Sequence, residues 1–580
     1  MAVARPRRIS TVLSALDFDA MNRTQPLGLI LVTLAAASCT DGDPPPAQEF
    51  ETPPAPGASH AELVSFFSAW RDFEEPPMLD GVPDYSGATM AAQHAALTGW
   101  MEALAAFDTT GWSVVEQIDW HIVRAEMNGL DFDHRVRRPW ARDPAYYASV
   151  FAARSDVPAH EGPVVHGFID LWTYAYPLSD SDAEELSGRI GRIPALLDQA
   201  RVNLADAEAA DLWQAGVRSF NAQARDLAGL EVLVRGAHPA LDRAIAGARE
   251  ASLAFRDWIE AEAPSRTGPS GVGSDNYTWL MQNVHLVPYS WEEQETLMSR
   301  ELARSHATLR FEENRNRALP EQERIGSARE YDRRLNESVD RYMQFLADEE
   351  VQSVAPYADS ALRAVNGSFT PAEPGQIRNF FSEVNYRDPD AFRPHMHHWI
   401  ELAQMDLEPH SSLIRATPSL FNIYDARSEG LATGVEEWFM HLGLLEGSPR
   451  SRELTWIMVA QRAGRALSGL RLHSGDYDME EAVAHSMKWT PRGWLPDGAL
   501  VRGEQHLYLR QPGYGTSYLS GKAQIEELVA EYALQQGGDF TIKGFFDAFY
   551  GAGVIPTVLV HWQMTGQMHP ILMEGALGME

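Results

Sequence analysis

Cysteine is all but missing from this chain: Cys39 is the only one in 580 residues. No disulfide can close within the chain, and a cysteine-rich metal site is excluded. Basic residues are scarce beside acidic ones, 48 Lys and Arg against 81 Asp and Glu, for a formal charge of −33. Nucleic-acid binding needs clustered cations against phosphates, so nucleic acid is not an expected partner. Past the N-terminal region, no apolar run approaches the ~20 residues of a membrane-crossing helix. No repeat with a period of 20–50 residues is visible, which excludes the solenoid folds. Two catalytic signatures are absent as well. There is no His-Glu-x-x-His of the common zinc-peptidase helix and no Gly-x-Ser-x-Gly nucleophile elbow. Gly268–Gly273 is glycine-rich but follows no strand pattern, as a phosphate-cradling loop would have to.

The one cysteine has a telling position. Met21-Asn22-Arg23 is a short basic start, Leu27–Ala35 an apolar run, and Ala36-Ala37-Ser38 a small-residue end just before Cys39. That is the layout of a secretory signal. A Cys directly after small residues reads as a lipobox, with Cys39 lipidated and becoming the mature N-terminus, although Ala36 stands where a lipobox commonly has Leu; the alternative is ordinary signal cleavage beside an incidental Cys. Residues 1–20, with Asp17 and Asp19, suit a signal start poorly and read as an upstream extension. The signal is then 21–39. A spacer at 40–59, rich in proline (Pro44-Pro45-Pro46, Pro53-Pro54), follows it. Membrane contact is expected through the lipid anchor alone, in a bacterial cell envelope.

The chain's 44% hydrophobic residues and 16 Trp are ample for a large core in the body, 60–575. Its periodicity is nearly all helical. Leu63, Phe66, Phe67, Trp70 and Phe73 share one helical face. Capping-box patterns at Ser181–Glu184, Ser290–Glu293 and Asp478–Glu481 predict three helix starts. Helical stretches are expected at Ala183–Ala209, Trp213–Glu262, Trp291–Asn314, Ala328–Asp348, Glu453–Leu472 and Lys522–Gln536, broken by Gly and Pro turns. The expected fold class is all-α with minor β: a single large body, two-lobed around a central cleft.

Three constellations carry chemistry. In the first, His397 and Glu401 are four apart and share a helical face, with His395, His398 and His410 nearby. Glu429 opens a second expected helix, Gly430–Leu445, that also carries Glu436 and Glu437. Imidazole and carboxylate on neighbouring helices suit a divalent metal such as zinc. The same residues also fit a core helix whose polar side faces solvent. The second constellation is His473 at a helix end, preceded by Arg462, Arg465 and Arg471, which could bind a carboxylate or an oxyanion. The third is a bent loop, Arg510-Gln-Pro-Gly-Tyr514-Gly-Thr-Ser-Tyr518, leading into a helix; its tyrosines could donate to a developing oxyanion.

The chain resembles the bacterial domain-of-unknown-function 885 family, often lipoproteins, which groups with gluzincin-like zinc peptidases. The likeness runs from about His60 to Gly566. It rests on Gly271-Val-Gly-Ser-Asp-Asn-Tyr277, Glu429-Gly430-x-Ala432, Arg465 through His473 with Glu480-Glu481-Ala482, Pro512-Gly513-x-x-x-Ser517-Tyr518-x-x-Gly521, and Phe545-Phe546-Asp547 through Pro556. The family's metal helix reads His-Glu-x-x-Pro-Gly-His. Here His397 aligns with the second His and Glu429 with the later glutamate, but the first His and its Glu are missing.

The resemblance implies a zincin-like fold and a metal-dependent hydrolase of peptide or amide bonds. Zinc would be held by His397, Glu429 and His395, with Tyr518, His473 and Glu401 catalytic. Arg465, Arg510 and Tyr514 would bind a small peptide-like substrate. The missing His-Glu pair keeps two other readings open. One is a non-catalytic protein that binds envelope peptides or glycans. The other is a metal-free acid/base enzyme such as a lyase.

Overall fold

The computed structural model describes residues 50–373 and 375–577, with side chains through 573. Cys39, the signal segment and the upstream extension lie outside them. The described chain is mainly α-helical, and its only sheets are two two-stranded ones. No helix among the described residues is long and apolar enough to cross a membrane.

Helix starts follow local capping chemistry. Ser290 accepts from the Glu293 amide and Glu293 reaches back, starting Trp291–Arg315; Asp478 and Glu481 do the same for Met479–Trp489. The start expected at Ser181 lies two residues earlier. Ser179 caps Asp180–Ile190 by accepting from the Asp182 amide. Gly236 and Pro239 split the long 213–262 stretch into Ala210–Val234 and Pro239–Glu262. Ala328–Asp348 and Ser451–Ser474 lie where the periodicity puts them. The final ten residues of the expected spacer run along the body: Phe50 meets Phe73 at 5.6 Å, and Trp100 donates to the Glu51 carbonyl.

Two principal hydrophobic cores organise the described residues. One is built from residues between Val82 and Ala263, centred on Trp213, Phe220 and Phe255. The other joins the helices His60–Glu74, Gly87–Ala105 and Val114–Phe132 to the C-terminal half of the chain. At its centre Asp425–His441 packs against Tyr514–Gln536 at backbone contact. A Cβ on Gly521 would sit 1.7 Å from the Ala426 carbonyl oxygen, and one on Gly430 would sit 2.4 Å from the Gly521 carbonyl carbon. Two glycines thus set how closely these helices approach.

Both helices begin earlier than the sequence pattern suggests. Glu429 lies a turn inside its helix, and the glycine-tyrosine stretch read as a loop is helical from Tyr514 onward. Gly513, at φ 95°, turns the chain into it. Burial of Tyr514 and Tyr518 then outweighs the poor helix propensity of Gly515 and Gly521.

Candidate metal and acid/base centre

The Asp425 helix presents Glu429 and Glu436, seven residues apart and so on one face. Both meet histidines of the next chain segment. His395 lies in a short turn, Arg393–Met396, and His398 in the first turn of the His397–Leu407 helix. Nε2 of His398 lies 3.4 Å from Oε2 of Glu429, and Nδ1 of His395 lies 3.1 Å from Oε1 of Glu436. A third element completes the group. Asp156, from the irregular segment after Phe151, brings a carboxylate so that one ligand atom each from Asp156, His395 and His398 lie within 4.8 Å of one another.

These residues fit a divalent metal. His398 and Glu429 are 2% and 1% exposed, yet His398 Nε2 and Glu429 Oε2 have no hydrogen-bond partner in the protein. Two imidazoles and two carboxylates form the nitrogen and oxygen set zinc takes. Glu436 orients His395 as an outer carboxylate, and Arg462 holds Glu436 through two bonds of 2.5 and 2.8 Å. Without a metal, the facing pair is an ion pair. Burial alone would raise the Glu429 carboxyl, but the His398 cation overrides it and holds it at about 2. Burial likewise opposes the charge on His398, and Glu429 prevails, lifting it to about 9. A cation binding here therefore displaces a proton from His398.

A proton-handling group lies beside this set. The Tyr514 hydroxyl is 2.8 Å from Oε1 of Glu429 and 2.6 Å from Oε1 of Glu161. One phenol proton cannot serve two carboxylates, so the pair has a place for a second proton. Glu161 is its place: burial and the nearby Asp156 charge raise its carboxyl to about 7. Tyr518 packs edge-on to Tyr514 at 5.6 Å and carries the Arg465 guanidinium 4.7 Å above its ring.

Sequence-expected residues divide accordingly. Glu429, His395, Tyr514, Tyr518 and Arg465 come together here. His397 does not: consecutive helical residues diverge by ~100°, so His398 takes the place expected for its neighbour. His397 stacks on Tyr550 at 4.8 Å, and Glu401, on the same face as expected, pairs with buried Arg427. His473 spends both ring nitrogens inside the fold, one on the Tyr508 carbonyl at 2.9 Å and the other on the Val272 amide. Arg510 braces Asp143 and the Pro163 carbonyl. Asp156 and Glu161 escaped sequence reading because nothing local marks them. Glu436 had a signal in its seven-residue spacing from Glu429.

A cleft of about 480 Å³ adjoins the centre, lined among others by Tyr146, His160, Phe168, Trp172 and Phe421. It shares Gly162 and Gln511 with the centre's surroundings: the Gly162 amide donates to Gln511, which donates at 2.5 Å to Asp425. None of the metal-site residues lines it.

The chain belongs to the family described as bacterial protein of unknown function (DUF885), which matches residues 75–385 and 397–564. No curated protein matches. Among solved structures, one from Shewanella oneidensis, described as "a putative lipoprotein of unknown function", is 15% identical with a TM-score of 0.64. It covers 87% of this chain and 100% of its own. Another, described as "the putative lipoprotein from Colwellia psychrerythraea", is 13% identical with a TM-score of 0.60, covering 88% and 99%. At such identities the likeness is one of fold.

Proposed function

We propose that this chain is a metal-dependent hydrolase of peptide or amide bonds, anchored in the bacterial envelope through Cys39. The observation that carries the reading is the facing of two buried, otherwise unpartnered ligand atoms, His398 Nε2 and Glu429 Oε2, with Asp156 and His395 gathered around His398. Zinc, when bound by these four, would polarise a carbonyl and acidify water. The protein's own residues supply the rest. Glu161, poised near neutrality, takes and returns a proton, and Tyr514 links it to Glu429. Tyr518 is kept protonated by burial and so remains a donor towards a developing oxyanion. The adjoining cleft is wide enough to hold the remainder of a short peptide. Anchoring is supported by the small-residue end before Cys39 and by the descriptions of the two similar structures.

Metal content tests this reading. Mass spectrometry of the purified chain, without a histidine tag, should find near-stoichiometric zinc that is lost in Glu429→Ala. A chain that stays empty after zinc is supplied refutes it. A metal-free proton transfer between Glu161 and Tyr514 is the second reading, favoured by the near-neutral carboxyl alone. Turnover that survives a chelator would support it.

A further inference from the structure

Tyr508 is held with unusual care for a residue whose hydroxyl bonds to nothing. It lies on the Ala499–Arg510 helix, with its ring seated between two other helices. A Cβ on Gly515 would come 2.8 Å from the ring, and one on Gly469 would come 3.0 Å. Both glycines are inside helices, where each costs ~0.5–1 kcal/mol against alanine. The Tyr508 carbonyl is clasped by His473 at 2.9 Å. Yet the Tyr508 hydroxyl is buried without a hydrogen-bond partner. An unsatisfied buried polar group is costly and calls for a ligand or water.

Its neighbours share the condition. Arg465 spends one terminal nitrogen on Glu504 and leaves Nε without a partner. Its guanidinium lies 5.8 Å from the Tyr508 ring and 4.7 Å from that of Tyr518. Arg462 approaches Tyr518 from 5.5 Å and also leaves Nε unpartnered. The Gln461 and Gln505 amide oxygens are unpartnered too, but their nitrogens turn to Glu504 and to the Arg465 carbonyl and Ser486. The unpartnered donors around Tyr518 include the Tyr508 phenol and the Nε–H groups of Arg465 and Arg462, beside the Tyr514 that binds Glu429. Burial pushes the Tyr508 phenol well above its ordinary range, so it remains an O–H donor.

We infer that Arg465 and Tyr508 form a subsite for the free carboxylate of the substrate, so that the enzyme removes residues from the C-terminus of peptides. A planar carboxylate matches the guanidinium fork and offers a further lone pair to a phenol. A phosphate dianion would bring a second negative charge towards Glu429 and Glu504. Only one aromatic ring, Tyr518, separates Arg465, 4.7 Å above it, from Tyr514, edge-on at 5.6 Å on the Glu429 side, so the carboxylate would sit near the end of the chain that is cleaved. In the reaction, water adds to the last peptide carbonyl and the C–N bond breaks. The nitrogen leaves with a proton as the amine of a free amino acid, and the shortened peptide keeps a new carboxylate. This inference rests on the hydrolase reading, and the test separates the two.

The zinc-supplied full chain is given an N-acetylated tripeptide acid and its C-terminal amide, and both are also titrated calorimetrically. The acid should be cleaved at least about 100-fold better in kcat/KM. Tyr508→Phe, which removes only an unpartnered oxygen and should leave thermal stability unchanged or raised, should increase KM for the acid about 10-fold. It should leave kcat for the acid unchanged and raise KM for the amide by less than for the acid. Equal cleavage of acid and amide overturns the carboxylate subsite while upholding the hydrolase. If neither is cleaved, the hydrolase reading falls and calorimetry decides the subsite. Acid binding that is stronger than amide binding and weakened by Tyr508→Phe upholds it; equal or absent binding overturns it.

Discussion

Replacing Gly521 with alanine tests whether the centre depends on the close approach of two helices. The new Cβ would lie 1.7 Å from the Ala426 carbonyl oxygen, a backbone atom that no rotamer change can move. An ordinary carbon–oxygen contact is about 3.3 Å or more, so the Asp425 and Tyr514 helices must part by about 1.6 Å. The 2.8 Å bond from Tyr514 to Glu429 spans this interface and would stretch past hydrogen-bond range. Overpacking costs about 1–3 kcal/mol or more, against a helix-propensity gain near 1 kcal/mol. Gly99, also within a helix, is the matched comparison: a methyl added there would meet nothing within 4 Å, so only the gain applies. Because a 1.7 Å approach to backbone belongs at the upper end of that range, urea unfolding should show Gly521→Ala destabilised by about 2 kcal/mol or more and Gly99→Ala stabilised by up to about 1 kcal/mol. Zinc retention and turnover should also fall in Gly521→Ala. If that variant is as stable as the wild type and keeps its metal, the close approach does not position the centre.

Three further outcomes are expected. His398→Ala should abolish zinc retention in equilibrium dialysis, whereas His397→Ala, removing a ring that faces Tyr550, should retain it; the reverse result would restore the sequence-based ligand assignment. Glu161→Gln should lower kcat by about 10²–10⁴ and remove the pH-rate limb near 7 while metal content is unchanged, and a variant with full activity would eliminate Glu161 as the proton carrier. His121 lies against Trp120 and Trp562, and burial, aided by Arg124, lowers it from 6.5 to about 3. Its depressed value means that the unfolded chain binds a proton first as pH falls through 6.5. Its contribution is therefore intact above pH 6.5 and is lost progressively down towards pH 3. Between pH 7.5 and 5 that loss is about 2 kcal/mol, so His121→Phe should flatten the pH dependence of urea unfolding by that amount, and an unchanged slope would refute it.

Much of the helical architecture was legible because its causes are local. Ser290 with Glu293 and Asp478 with Glu481 start helices through contacts three residues apart, and Gly236 with Pro239 divides one. The site was legible only in part. That Glu429 and histidines of the 395–398 stretch meet was readable from residue type and spacing. Which histidine meets Glu429 was not, because spacing places His397 and Glu401 on one face without saying what that face packs against. Tertiary packing turned it to Arg427 and Tyr550 and turned His398 to Glu429. Asp156 and Glu161 come from an irregular segment whose course is set by distant anchors, such as the Ala159 amide on the Tyr424 hydroxyl and Gly162 on Gln511. The helical state of Tyr514–Gly521 depended on burial against the Asp425 helix, which outweighs local propensity. Amino-acid order alone thus determined the all-α class, the locally capped helix starts and part of the candidate site. Only the folded chain decided which residues meet, because that is settled by faces, burial and long-range contact.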